Sequence, residues 1–320
     1  MRKLIVCGLL VAFVVCAGVA GASPRGTNGL IAFARFNPAL GDTQVYVVNP
    51  DGTHERLVQA ANDTGECPQW FGDGTRIATC GAPDGSLSRI IDPDDGSFRA
   101  VGVQPSSGFM GCGTPSPDGS LLLCETFTED GSGNGIYLAR SSDGGGLRQL
   151  TSIPGGDDVP GSWSPDGKRI VLHRFGPDSD EGVFVVNANG TGLKQILPAS
   201  TLAGLALNWS PQGNDIVFSR HVTPALHSSL WIVHADGSGL HAVNVQPSTA
   251  CGGANDDPTA DGCFGPGWSP DGTKIVFAKG QNGDVDANIF TVNVDGTGLA
   301  QVTHTGGSQS PDWGIHSLAQ

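Results

Sequence analysis

Carboxylates gather at three places in this 320-residue chain, each a few residues ahead of a tryptophan: Asp63 and Glu66 before Trp70, Asp157 and Asp158 before Trp163, Asp256 and Asp257 before Trp268. If the segments that hold them meet, converging carboxylates and backbone carbonyls suit a hard cation such as calcium, or the cationic side chains of a basic peptide. The competing reading is local, each Asp capping a turn at the entrance to a strand. No cofactor is expected, with calcium as the alternative if these carboxylates do gather.

Cysteine offers a second chemistry. Of the eight cysteines, Cys7 and Cys16 lie in the N-terminal apolar stretch, and the other six form three close pairs: Cys67 with Cys80, Cys112 with Cys124, and Cys251 with Cys263. Six cysteines allow fifteen pairings. Only proximity selects among them: the first two pairs bracket the same recurring phrase, which places each pair on the two strands of one hairpin, where disulfide geometry is met. Zinc is the rival use of these thiols, but no Cys-x-x-Cys or tight Cys/His set occurs. The third pair ties off a Gly- and Asp-rich insertion, the best candidate for a functional loop, with a partnerless surface decoration as the alternative.

Motifs for covalent or metal hydrolysis are missing. There is no Gly-x-Ser-x-Gly elbow, no His-Glu-x-x-His and no phosphate-binding glycine loop ending in Lys-Ser or Lys-Thr. The eight histidines, among them His173, His221, His227 and His234, are spread over several repeats without ligand spacing. The expectation is a non-catalytic binding protein. The alternative is a metal-dependent lyase or hydrolase that acts on a sugar or lactone where the carboxylates meet.

A repeat supplies the strands and turns that carry these residues. Variants of Trp-Ser-Pro-Asp-Gly recur as Trp70-Phe71-Gly72-Asp73-Gly74, Pro115-Ser116-Pro117-Asp118-Gly119, Trp163-Ser164-Pro165-Asp166-Gly167, Trp209-Ser210-Pro211-Gln212-Gly213 and Trp268-Ser269-Pro270-Asp271-Gly272. A truncated copy, Pro311-Asp312-Trp313-Gly314, ends the series; from Trp position to Trp position the steps are 45, 48, 46, 59 and 45 residues, the range of a four-stranded propeller blade. Each full phrase precedes a short apolar run such as Ile170-Val171-Leu172, which reads as a buried strand. Six further turns, such as Asn49-Pro50-Asp51-Gly52 and Asn293-Val294-Asp295-Gly296, supply the positive φ that tight turns require. The tryptophans recur at one repeat position, which argues for packing between blades over a sugar-stacking platform.

The first apolar run, from Leu30 to Phe33, has no phrase ahead of it, and the strand it lacks is the orphan at the C-terminus, Ser310 to Ile315. The expected fold is all-β: a six-bladed β-propeller of four-stranded antiparallel blades, closed by a C-terminal strand that completes the N-terminal blade and leaves no isolated edge. The phrases resemble the Pro-Asp repeats of the six-bladed TolB-type propeller family over roughly residues 29 to 316. Gly-His and Trp-Asp signatures of WD repeats are missing. The resemblance implies this fold and a role in the cell envelope; with only a few residues expected between the signal and the first strand, the chain departs from TolB, which carries an α/β domain ahead of its propeller, and a Tol-specific role is not implied.

Arg2 and Lys3, the apolar stretch from Leu4 to Val15 and Ala20-Gly21-Ala22 read as a signal peptide cleaved after Ala22. The expected organisation is a signal at 1–22, a short flexible lead at 23–28, one propeller at 29–316 and a tail at 317–320. The product is then secreted, periplasmic or held in the envelope, with no stable membrane span, and monomeric. The net charge of −14 becomes about −16 once Arg2 and Lys3 leave. That excludes nucleic acid, which demands a basic surface, and leaves a protein or peptide partner as the expected ligand.

Overall fold

In the computed structural model, residues 25–318 are described except 61, 81–84, 103, 105–107, 129–130, 177–180, 202, 222–227, 248–249, 252–261 and 281–285. Six four-stranded antiparallel sheets form. Blade 1 comprises Ser308–Trp313, Ile31–Asn37, Asp42–Val48 and Arg56–Leu57, in that order from first to fourth strand. Blade 2 runs from Gln69–Trp70 to Phe98–Val101, blade 3 from Phe109–Pro115 to Arg148–Gln149, and blade 4 from Asp157–Trp163 to Lys194–Pro198. Blade 5 runs from Asn208–Trp209 to His241–Ala242, and blade 6 from Gly262–Trp268 to Ala300–Gln301. First strands of neighbouring blades touch, as strands around a central axis do.

The closing strand uses the register of the other five. Trp313 lies opposite Ile31, as Trp70 lies opposite Ile77, Trp163 opposite Ile170, Trp209 opposite Ile216 and Trp268 opposite Ile275. The expected latch of one C-terminal strand plus three N-terminal ones is therefore present. A repeat stretched across both termini loses nothing in pairing, because the hydrogen bonds depend on register and not on connectivity.

The core is divided among the blade junctions. Each of six buried clusters draws on two adjacent blades, and each phrase tryptophan enters the cluster shared with the blade before it. All five are at most 2 % exposed, and truncating such a side chain to Ala costs about 3–5 kcal/mol. Blade 3 has Pro115 where the others have Trp. Its junction with blade 2 is filled by Phe71, Met110 and the Cys112–Cys124 disulfide, whose cysteines face each other directly across the hairpin.

All three expected disulfides form; the other two, Cys67–Cys80 and Cys251–Cys263, have Cα separations of 5.6 and 5.3 Å. The interior of the Cys251–Cys263 loop, with Asp256 and Asp257, lies outside the described residues, as does His227.

Strand direction sorts the connections onto two faces. Turns between first and second and between third and fourth strands share one end of the molecule, the turn face. Loops between second and third strands and the crossings from blade to blade share the other, the loop face. On the turn face one Asp or Asn of a turn accepts the backbone N–H two residues on, as Asp51 does from Thr53 and Asp271 from Thr273. Gly296 shows why the turn ends in glycine: its φ is 86°, and a Cβ there would sit 2.1 Å from the Asn244 carbonyl oxygen of the preceding blade. The segment read as a flexible lead is tethered on this face: Arg25 donates to the Pro211 carbonyl at 2.6 Å, Gly26 N–H to Pro270, and Asn28 to Asp271.

Candidate functional site

The loop face is built from the ends of the second strands, and its residues follow a count. Starting from the apolar residue that faces the Trp position, four residues along stand Arg35, Arg174, Arg220 and Lys279 in blades 1, 4, 5 and 6. Each cation lies over an aromatic ring of its own third strand: Tyr46 at 4.7 Å, Phe184 at 5.2 Å, Trp231 at 4.8 Å and Phe290 at 5.0 Å. Stacking of this kind desolvates the charge and fixes the arm. Arg35 is held further by Glu55, and Arg220 donates to the Thr201 carbonyl.

One position further, beyond that layer, stand Phe36, Phe127 and Phe175 at 50, 54 and 39 % exposure, joined by Phe109, which pairs across the hairpin with Phe127. Four exposed phenylalanines on one face, three at an equivalent repeat position, are more than the scattered apolar exposure of an ordinary surface.

The structure distributes the carboxylates expected at the channel mouth over two junctions. Asp63 pairs with Arg89, at a distance below the ordinary range, and accepts the Thr64 N–H. Glu66 hydrogen-bonds to the Asp42 carboxyl, and burial, then the Asp42 charge, hold it above the usual carboxylate range. Asp158 is fully buried and takes a bidentate bond from Arg174 at 2.7 and 2.8 Å. Asp157 caps the Asp158 N–H, and burial pushes it up to about 6.

Among the described residues the one group of three potential metal ligands within 4.8 Å is Glu66 with Cys67 and Cys80. Both of those sulfurs are spent in a disulfide. The sequence pattern did not point to Glu125, on the second strand of blade 3. Burial, with the Asp157 charge beside it, pushes Glu125 up to about 7, and among the described residues no hydrogen bond or ion pair reaches its carboxyl. Glu125 lies two residues before Phe127, and strand alternation puts both on the side facing blade 4. Its signal was the period of two in Leu121-Leu122-Leu123-Cys124-Glu125-Thr126-Phe127, where an acid interrupts an apolar row.

Together these features define a six-bladed β-propeller whose loop face carries an aromatic rim and an uncompensated carboxyl pair. Among solved structures, the chain is similar to TolB from Acinetobacter baumannii, with a TM-score of 0.65 and 18 % identity over 89 % of this chain and 66 % of that one, just under two thirds of its length. A putative TolB from Agrobacterium tumefaciens matches at 0.65 and 20 % identity, over 89 % of this chain and 92 % of that one. A nidogen/laminin complex contains a chain that matches at 0.64 and 9 % identity, over 90 % of this chain and all of that one. Peptidases and a lyase share the architecture as well. No family profile matches the chain and no curated protein matches it. Among the described residues, no helix is long and apolar enough to cross a membrane.

Proposed function

We propose that this chain is an exported, non-catalytic propeller that binds a protein or peptide partner on its loop face. The observation that carries the reading is the exposed Phe109, Phe127 and Phe175 of blades 3 and 4 on the same blades as the Glu125 and Asp157 carboxyls, with Phe36 exposed on the same face from blade 1. Apolar side chains of a partner would cover the rim, and a lysine or arginine would supply the counter-ion that Glu125 and Asp157 lack. The TolB and nidogen/laminin neighbours support the fold as a platform for protein capture. Three disulfides and the N-terminal leader pattern support export to an oxidising compartment, the periplasm, the envelope or the outside. The test is a peptide-display selection against the purified mature chain and against a Phe109→Ser/Phe127→Ser/Glu125→Gln variant. Basic, aromatic sequences enriched by the first and lost with the second are expected; enrichment that survives in the variant would reject the loop-face rim.

The second reading, a metal-dependent lyase or hydrolase, draws on the same carboxyl pair. Calorimetric titration of the chelator-treated protein with calcium separates the two. Stoichiometric binding lost in Glu125→Gln/Asp157→Asn would favour it and justify a sugar and lactone screen.

A further inference from the structure

The three disulfides sit in unlike surroundings. Cys112 and Cys124 are both fully buried, and Cys251 and Cys263 are 3 and 0 % exposed. Cys67 is buried too, but Cys80 is part-exposed, at the loop-face end of a second strand that spans only Ile77–Cys80. The backbone of Cys67 has φ 47°, in the left-handed region that a residue with a Cβ seldom adopts. A carboxyl oxygen of Glu66 lies within 4.8 Å of both sulfurs.

We propose that Cys67–Cys80 is a thiol–disulfide exchange site, open to small thiols of the glutathione type, with Glu66 as the proton donor and acceptor for Cys67. An incoming thiolate attacks the part-exposed Cys80 sulfur, and the Cys67–Cys80 bond breaks. Its electron pair leaves on the Cys67 sulfur, which takes a proton from Glu66. The mixed disulfide on Cys80 is then attacked by a second thiolate, which departs with the first as a small-molecule disulfide and leaves Cys80 as a thiolate that solvent protonates. Two thiols are oxidised and one cystine is reduced; the reverse sequence reoxidises the site.

The environment fits each step. The departing sulfur is the buried one, where an unneutralised thiolate is disfavoured and a nearby proton matters most. Glu66 shares a hydrogen bond with Asp42, and burial, then the Asp42 charge, hold it above the usual carboxylate range, which favours its protonated form. The other charged groups nearby, Asp63 and Arg89, neutralise each other in an ion pair.

The test uses the mature full chain in native buffer with excess reduced glutathione, quenched by alkylation over time and mapped by mass spectrometry. Cys67 and Cys80 are expected to be labelled at least tenfold faster than the other two pairs. Glu66→Gln should slow that pair about tenfold and flatten its own pH profile, so that the variant-to-parent rate ratio changes with pH, while Glu66→Asp, which keeps a carboxyl, recovers part of the rate. The denaturation midpoint of each variant is measured alongside, so that loss of fold is told apart from loss of proton transfer. Reduction of all three pairs together, reduction of Cys251–Cys263 first, or a Glu66→Gln rate unchanged in size and pH dependence would each overturn the proposal.

Discussion

Asp312 precedes the tryptophan of the closing strand, is 2 % exposed, and accepts the Trp70 N–H of the next blade at 2.7 Å. Burial pushes its carboxyl up to about 7, so the folded chain keeps a proton there that the unfolded chain releases near pH 4. Stability from this group is therefore full below about pH 4 and is lost as pH rises to about 7, by on the order of 2–4 kcal/mol. Glu125 and Asp157, raised to about 7 and about 6, act with the same sign. Urea denaturation from pH 4.5 to 8 is expected to show falling stability, with a shallower slope in Asp312→Asn, which keeps the acceptor for Trp70; an unchanged slope would exclude Asp312 as its source. The Arg174–Asp158 pair makes a second prediction at this scale. Arg174→Met leaves Asp158 charged and buried and is expected to lower stability by about 3–5 kcal/mol, most of it recovered when Asp158→Asn is added. Neither residue's role was legible in the sequence. Asp158 was visible as one of a pair of acids, but the guanidinium that consumes it is sixteen residues away, and only strand pairing brings the two together.

Among the elements, the turns were the most legible and the short strands the least. Asp-Gly and Asn-Gly announce a turn because φ near +70 to +90° admits few other residues, so composition at one position decides local geometry. Strands of two residues, such as Asn208–Trp209, Arg56–Leu57 and Ala300–Gln301, show no periodicity to read; they exist because a neighbouring strand offers its edge. The glycines also meet other blades, which the sequence does not show. Gly296→Ala is expected to destabilise by about 2 kcal/mol or more, since the φ is unfavourable and the Asn244 carbonyl blocks the methyl group. Gly41→Ala, at φ 68° with nothing within 4 Å, should cost about 1 kcal/mol. Equal losses in chemical denaturation would show that backbone strain alone, and not the blade contact, explains Gly296.

At the scale of the whole molecule, closure is what makes six sheets one body. Each buried cluster spans a junction, so an open ring would expose two apolar blade faces and the edge of Ile31–Asn37. Truncation after Gly307 removes the closing strand and Trp313. It is expected to abolish cooperative melting and to produce aggregates in size-exclusion chromatography, with rescue by a synthetic peptide of residues 305–318 added in trans. A truncated chain that stays monomeric and melts cooperatively would show that the latch is dispensable. The repeat, the number of blades, the three cysteine pairs and the shared closing blade were legible along the chain, because each is dictated by spacing or by residue type within a few positions. Three-dimensional packing alone set which carboxylates lack a counter-ion among the described residues, which disulfide lies beside a carboxyl, and that phenylalanines of separate blades share one exposed face. Those properties belong to distances between residues far apart in the chain, and the burial that shifts a carboxyl or bares a ring is set by neighbours the local sequence does not contain.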